Sequence, residues 1–177
     1  MRKIIYFTAA SVDGFTAGRK GDRSLFVKSG SSTTRRHEEL DGVDTVIMCR
    51  QSYEAGFGYG LTPGQPLCEG LVHYIFSNSM QFDVAHPDMH VLAPNVENVT
   101  RLKEEEGANI FLYGGGYFAG WLLENGLIDT VKLRINPAIV GDGERIFGQS
   151  PQSARLELVE SQSADDGVFL NTYRVIR

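Results

Sequence analysis

The chain has 177 residues, 42% of them hydrophobic and 22% charged, and a formal net charge of −5. That length suits a single domain, residues 1–177, with one sizeable core. The acid excess speaks against a general nucleic-acid or anionic-membrane binder, since both need a basic face, but it allows a small anion held by local donors.

No stretch reaches the roughly 20 apolar residues of a membrane helix, and Thr8, Ser11 and Asp13 interrupt the first apolar run too early for a signal peptide. Cys49 and Cys68 are the two cysteines. They form neither a disulfide framework nor a zinc pattern and are expected as reduced thiols of a cytoplasmic protein.

Residues 3–11 are β-branched, aromatic and nearly all apolar, which predicts a first strand buried on both faces. Asp13-Gly14 breaks it as a turn former, and a polar loop runs to Arg23. A polar helix is predicted over 31–40, a buried strand over 43–49 and a short helix over 50–55. The glycine- and proline-rich stretch 56–70 is a surface loop. Strands follow at 72–76 and 89–92, then a helix over 95–106 with Val96, Val99 and Leu102 at helical spacing.

A strand over 109–113 runs into Gly114-Gly115-Gly116 and an apolar helix over 117–125, which Gly126 stops. Strands at 130–136, 156–160 and 168–176 complete the chain, the last two as an antiparallel hairpin around 164–167. This order predicts a three-layer α/β/α fold with a mixed, mostly parallel central sheet.

Apolar strands ending in small or polar residues place a crevice at their C-terminal edge. Four endings matter: Ala9-Ala10-Ser11, Cys49-Arg50-Gln51-Ser52, Ser77-Asn78-Ser79 and Tyr113-Gly114-Gly115-Gly116. The glycine run is the sharpest, because unpaired N–H groups at a helix start favour an anion and glycine lets it approach. A tight packing turn would use the same residues. Arg50 starts a helix at the same edge, and its planar fork suits a phosphate; a surface ion pair is the plainer fate. With the hydroxyls of Ser77 and Ser79 and the amide of Asn78 nearby, a ribose 2′-phosphate is favoured, hence NADPH over NADH.

Other chemistries lack support. His37 has no second histidine at metalloprotease spacing, and Pro87 breaks any helical face joining His86 and His90, so no metal is expected. No nucleophile elbow or P-loop occurs.

Four segments in order resemble the dihydrofolate-reductase-like superfamily: IIYFTAASVDGFTAG at 4–18, VDTVIMCRQSYE at 43–54, YIFSNS at 74–79, and IFLYGGGYFAGWLLENGLIDTVKLRINPAIVGDGERIF at 110–147. The nearest branch is similar to the reductase domain of the riboflavin-biosynthesis deaminase-reductase. The resemblance implies NADPH along the strand edge. Ala9 would lie by the nicotinamide with Thr16 and Ala17 over it. Cys49, Arg50, Gln51 and Ser52 would meet the phosphates, and Ser77 and Asn78 the 2′-phosphate. Tyr113, Gly114, Gly115, Gly116, Tyr117 and Phe118 would hold the pyrophosphate. It also implies a homodimer.

Two departures bear on function. Cys49 stands where the family usually has glycine, which would narrow the phosphate approach. Gly114 stands where riboflavin reductases have glutamate, which argues against the phosphoribosylamino-uracil substrate of that pathway. Asp22 matches the family's loop carboxylate and is the candidate proton relay, a role that needs a raised pKa; a solvated turn aspartate would use the same position. Three functions follow as expectations: an NADPH-dependent reductase of a pteridine- or pyrimidine-like heterocycle, the aminouracil reductase, or a nucleotide-binding domain without turnover. A pure interaction module has no surface feature in its favour.

Overall fold

The computed structural model describes residues 1–30 and 41–176. The polar helix expected over 31–40 lies outside them. Among the described residues, thirteen strands and α-helices follow one another: β1 (Ile4–Ser11), β2 (Phe15–Gly18), β3 (Val43–Cys49), α1 (Arg50–Ala55), β4 (Val72–Phe76), β5 (Met89–Leu92), α2 (Val96–Glu104), β6 (Asn109–Tyr113), α3 (Gly116–Glu124), β7 (Thr130–Asn136), β8 (Gly143–Arg145), β9 (Arg155–Ser163) and β10 (Phe169–Ile176).

Eight strands make one sheet in the order β5-β4-β3-β6-β1-β7-β10-β9. The first six are mutually parallel, and β10 runs antiparallel to both β7 and β9. Buried parallel strands carry side chains inward on both faces, and alternation divides them here. Ile4, Tyr6, Ile47, Ile110 and Leu112 pack with α2 and α3 through Val99, Leu102, Phe118 and Leu122. Val46, Met48, Ile75 and Phe111 pack on the opposite face with Tyr53 of α1. The result is the expected three-layer arrangement.

The helix ends follow local chemistry. Asn95 caps α2 by accepting the Asn98 N–H at 2.8 Å, so the helix begins one residue after the expected start. Gly126, at φ +63°, ends the turn after α3. Lys103, 4% exposed, donates from Nζ to Asp129 Oδ2 at 2.5 Å and to the Leu127 carbonyl at 3.0 Å. Asp129 also accepts the Ile4 N–H at 2.8 Å, which pins the start of β1 beside β7. These contacts satisfy a cation that would otherwise be too costly to bury.

One element pair was not foreseen. β2 and β8 form a separate two-stranded antiparallel sheet, Phe15 opposite Arg145 and Gly18 opposite Gly143. It joins the loop after β1 to the loop after β7.

Candidate functional site at the C-terminal strand edge

Strand register determines which residues meet. Phe7 of β1 lies opposite Tyr113 of β6, Ile47 of β3 opposite Leu112, and Cys49 opposite Phe76 of β4. One or two residues further along, Ala9, the glycine turn, Cys49 and Ser77 therefore stand in a row across β1, β6, β3 and β4. Three inter-strand steps of about 4.8 Å make that row about 14 Å long.

The glycine turn occupies the row's centre. Gly114 and Gly115 have φ of +61° and +85°, conformations that side chains resist. Gly115 is the N-cap of α3, and no side chain caps the helix. The first intrahelical bond runs from Ala119 N to Gly115 O at 2.9 Å, so the N–H groups of Gly116, Tyr117 and Phe118 precede the ladder. Tyr117 is exposed, and Phe118 is buried against Phe76 with ring centroids 5.0 Å apart.

Each glycine is small for its own reason. A Cβ on Gly114 would meet nothing nearer than Ser52 Oγ at 3.8 Å. One on Gly115 would stand 2.9 Å from both Cys49 Sγ and Ser52 Oγ. One on Gly116 would stand 2.1 Å from the Arg145 carbonyl oxygen. The Cys49 side chain thus fills room that Gly115 leaves, with its sulfur 3.3 Å from Ser52 Oγ. This contact brings Cys49 and Ser52 into the site.

Arg50 stays on the same rim. Its Nε donates to Glu54 Oε1 at 2.6 Å and its Nη1 to Ser79 Oγ at 3.0 Å, so it spans the ends of β3 and β4. The expected surface ion pair exists, alongside the contact to Ser79. Gln51 is exposed beside it on α1. Ser77 Oγ accepts the backbone N–H groups of Ser79 at 3.2 Å and Met80 at 3.0 Å. Ser77 therefore shapes the turn that presents Asn78 and Ser79. Ser79, rather than Ser77, meets the arginine.

At the other end of the row, Ala9 lies opposite Arg134 of β7. Thr16 and Ala17 are buried in β2, with Thr16 Oγ1 donating to the Glu144 carbonyl at 3.4 Å. Beyond them a cavity of about 260 Å³ is lined by Gly18, Arg19, Asp22, Leu25, Phe26, Val140 and Asp142.

Asp22 faces this cavity, but its chemistry differs from the expectation. It is exposed, and its Oδ1 accepts the Ser24 N–H at 2.8 Å. That hydrogen bond holds its carboxyl below the usual range, so it is ionised at neutral pH. A proton relay needs the opposite shift. His86 and His90 have separate partners, Asp88 at 3.5 Å and the stacked Tyr74 ring.

The packing ranks the glycines by stability. Gly114→Ala should cost about 1 kcal/mol for the left-handed backbone alone. Gly116→Ala should cost about 3 kcal/mol or more, because its methyl meets backbone. Urea unfolding of the two variants checks the ranking, and equal losses would contradict it.

The fold has known counterparts. The uncharacterized protein YyaP of Bacillus subtilis is 27% identical over 180 residues, covering 97% of this chain and 94% of its own. A crystal structure of a protein assigned to riboflavin biosynthesis in Shewanella sp. PV-4 superposes with a TM-score of 0.83 at 20% identity, covering 99% of each chain. Dihydrofolate reductase from Enterococcus faecalis, complexed with NADP(H), superposes with a TM-score of 0.67 at 14% identity, covering 99% of this chain and 97% of that one. These likenesses show that the chain shares the fold of these proteins, dihydrofolate reductase among them. Residues 2–170 match the RibD C-terminal domain, and the chain belongs to that family.

Proposed function

We propose that the chain is one reductase domain that binds NADPH along the row from Ala9 to Ser79 and reduces a pteridine- or pyrimidine-like heterocycle. One observation carries this reading: the order of chemistry along the row. Small residues stand at β1, uncapped amides at β6, and a guanidinium with hydroxyls at β3 and β4. A dinucleotide presents its parts in the same order, as a flat ring, a diphosphate and a ribose 2′-phosphate. When bound, NADPH supplies a hydride from its nicotinamide to a C=N or C=O group of the acceptor.

The chain's residues have matching tasks in this reading. Gly116, Tyr117 and Phe118 donate backbone N–H groups to the diphosphate, aided by the positive end of the α3 dipole. Ser52 Oγ, already at the glycine turn, donates beside them. Arg50 binds the 2′-phosphate with Ser79 and Asn78, while Glu54 fixes its fork. Ala9 leaves room for the nicotinamide, and Thr16 and Ala17 keep water from it. The ionised Asp22 carboxylate borders the acceptor side, and the proton comes from solvent. Gly114, where the aminouracil reductases carry glutamate, favours another acceptor. The complex of the Enterococcus faecalis enzyme with NADP(H) supports the same cofactor.

β9 is exposed along all nine residues although it carries Leu156, Leu158 and Val159. Such an edge strand is a template for pairing and supports a homodimer. Sedimentation should find two copies; a monomer at micromolar concentration would remove this part.

Fluorescence titration tests the cofactor. NADPH should saturate the protein more tightly than NADH, and Arg50→Ala should weaken NADPH about tenfold, roughly one charge-assisted contact, while sparing NADH. Equal binding of both nucleotides by the wild type would contradict the 2′-phosphate assignment. NADPH oxidation over a panel of pteridines and pyrimidines tests turnover, and Asp22→Asn should leave the rate within about twofold. A fall of about 100-fold would restore Asp22 as the relay. Saturation without turnover on any acceptor would leave the binding domain as the function.

A further inference from the structure

The Asp13 carboxylate is shared between two loops far apart in the chain. Its Oδ1 accepts the Ser11 hydroxyl at 2.6 Å and the Val140 N–H at 3.0 Å, and its Oδ2 accepts the Gly141 N–H at 2.7 Å. We propose that Asp13 is a positioning residue that ties the loop after β1 to the loop after β7, and so holds Thr16 and Ala17 over the reactive end of the cofactor row. The functional half of this inference rests on the NADPH reading above.

A turn-forming role does not account for these contacts. The turn is already closed by backbone, since Gly14 N donates to Ser11 O at 3.0 Å. The carboxylate is spent across the gap, where two successive N–H groups point at it. Gly141, at φ +79°, gives the facing loop the bend that aligns them into an anion-binding concavity. Ser11, 3% exposed, completes the relay by accepting the Phe15 N–H at 3.0 Å, so the carboxylate is coupled to the first residue of β2. The Ser11 hydroxyl and the two backbone donors hold the Asp13 carboxyl at about 2, and it stays charged at working pH.

The rest of the junction depends on this tie for its register. Val12 N donates to Ala138 O at 2.9 Å and Ile146 N to Gly14 O at 3.1 Å on either side of it. Beyond lies the short β2–β8 ladder, where a Cβ on Gly143 would come within 2.2 Å of the Ala17 carbonyl oxygen. The Arg19–Asp142 ion pair at 2.6 Å is exposed on both sides and contributes little. A ladder of this length is not stable alone. Asp13 supplies the charge-assisted bonds that hold it.

Two measurements on Asp13→Ala and Asp13→Asn test the proposal. The first is tryptic cleavage of the unliganded protein after the exposed Arg19, Lys20 and Arg23. It should run about tenfold faster in Asp13→Ala, with Asp13→Asn between, because local opening exposes the loop. The second is fluorescence titration with NADPH and with adenosine 2′,5′-bisphosphate, which lacks the nicotinamide. Asp13→Ala should bind NADPH about tenfold more weakly and the bisphosphate as tightly as wild type. Cleavage at the wild-type rate, or equal weakening of both ligands, would overturn the proposal. A wild-type protein that saturates with neither ligand overturns the cofactor reading alone, and the cleavage rate then decides the tie.

Discussion

The glycine turn is held from two sides, and the candidate site depends on that confinement. On one side Cys49 Sγ and Ser52 Oγ occupy the space beside Gly115; on the other the Arg145 carbonyl presses on Gly116. Neither contact leaves room for a Cβ. The turn therefore presents backbone N–H groups instead of side chains, midway along a row of parallel strand ends. The insertion of β6 between β1 and β3 puts it there. Had β6 formed at an edge, the same glycines would face solvent without the flanking hydroxyl and guanidinium.

Much of this was legible in the sequence, because the strands that build the row are short, apolar and bounded by turn residues. The ends of β3, β4, β5, β6 and β7 fall at the expected residues. β2 and β8 were missed for a physical reason. Four and three residues show no alternation, and their pairing depends on a contact between loops some 125 residues apart. Arg50 was visible from its place after an apolar strand. The work of its neighbours was not: Ser77 and Ser79 look equivalent in sequence, yet one folds the turn and the other meets the guanidinium. Asp13 and Asp22 show the same limit. Both sit beside glycines in polar loops, and only the partners of their oxygens separate an inter-loop tie from a local turn cap.

Cys49, where the sequence resemblance implies glycine, leaves the glycine turn undistorted. Its sulfur lies against Ser52 Oγ, in space that the absent side chain of Gly115 leaves. In the proposed reading, the acceptor end is organised differently from the phosphate end. It is built from two loops joined by a carboxylate and a short ladder rather than from the sheet. This division suits a reductase in which the nucleotide stays fixed while the acceptor's environment varies.

The central claim is that the amides at the start of α3 grip an anion. Backbone ¹⁵N–¹H spectra recorded during an NADPH titration read this directly. The account predicts saturable shifts at Gly115, Gly116, Tyr117 and Phe118, larger than those in β9 and β10. Shifts that spare these four residues while others saturate would contradict it.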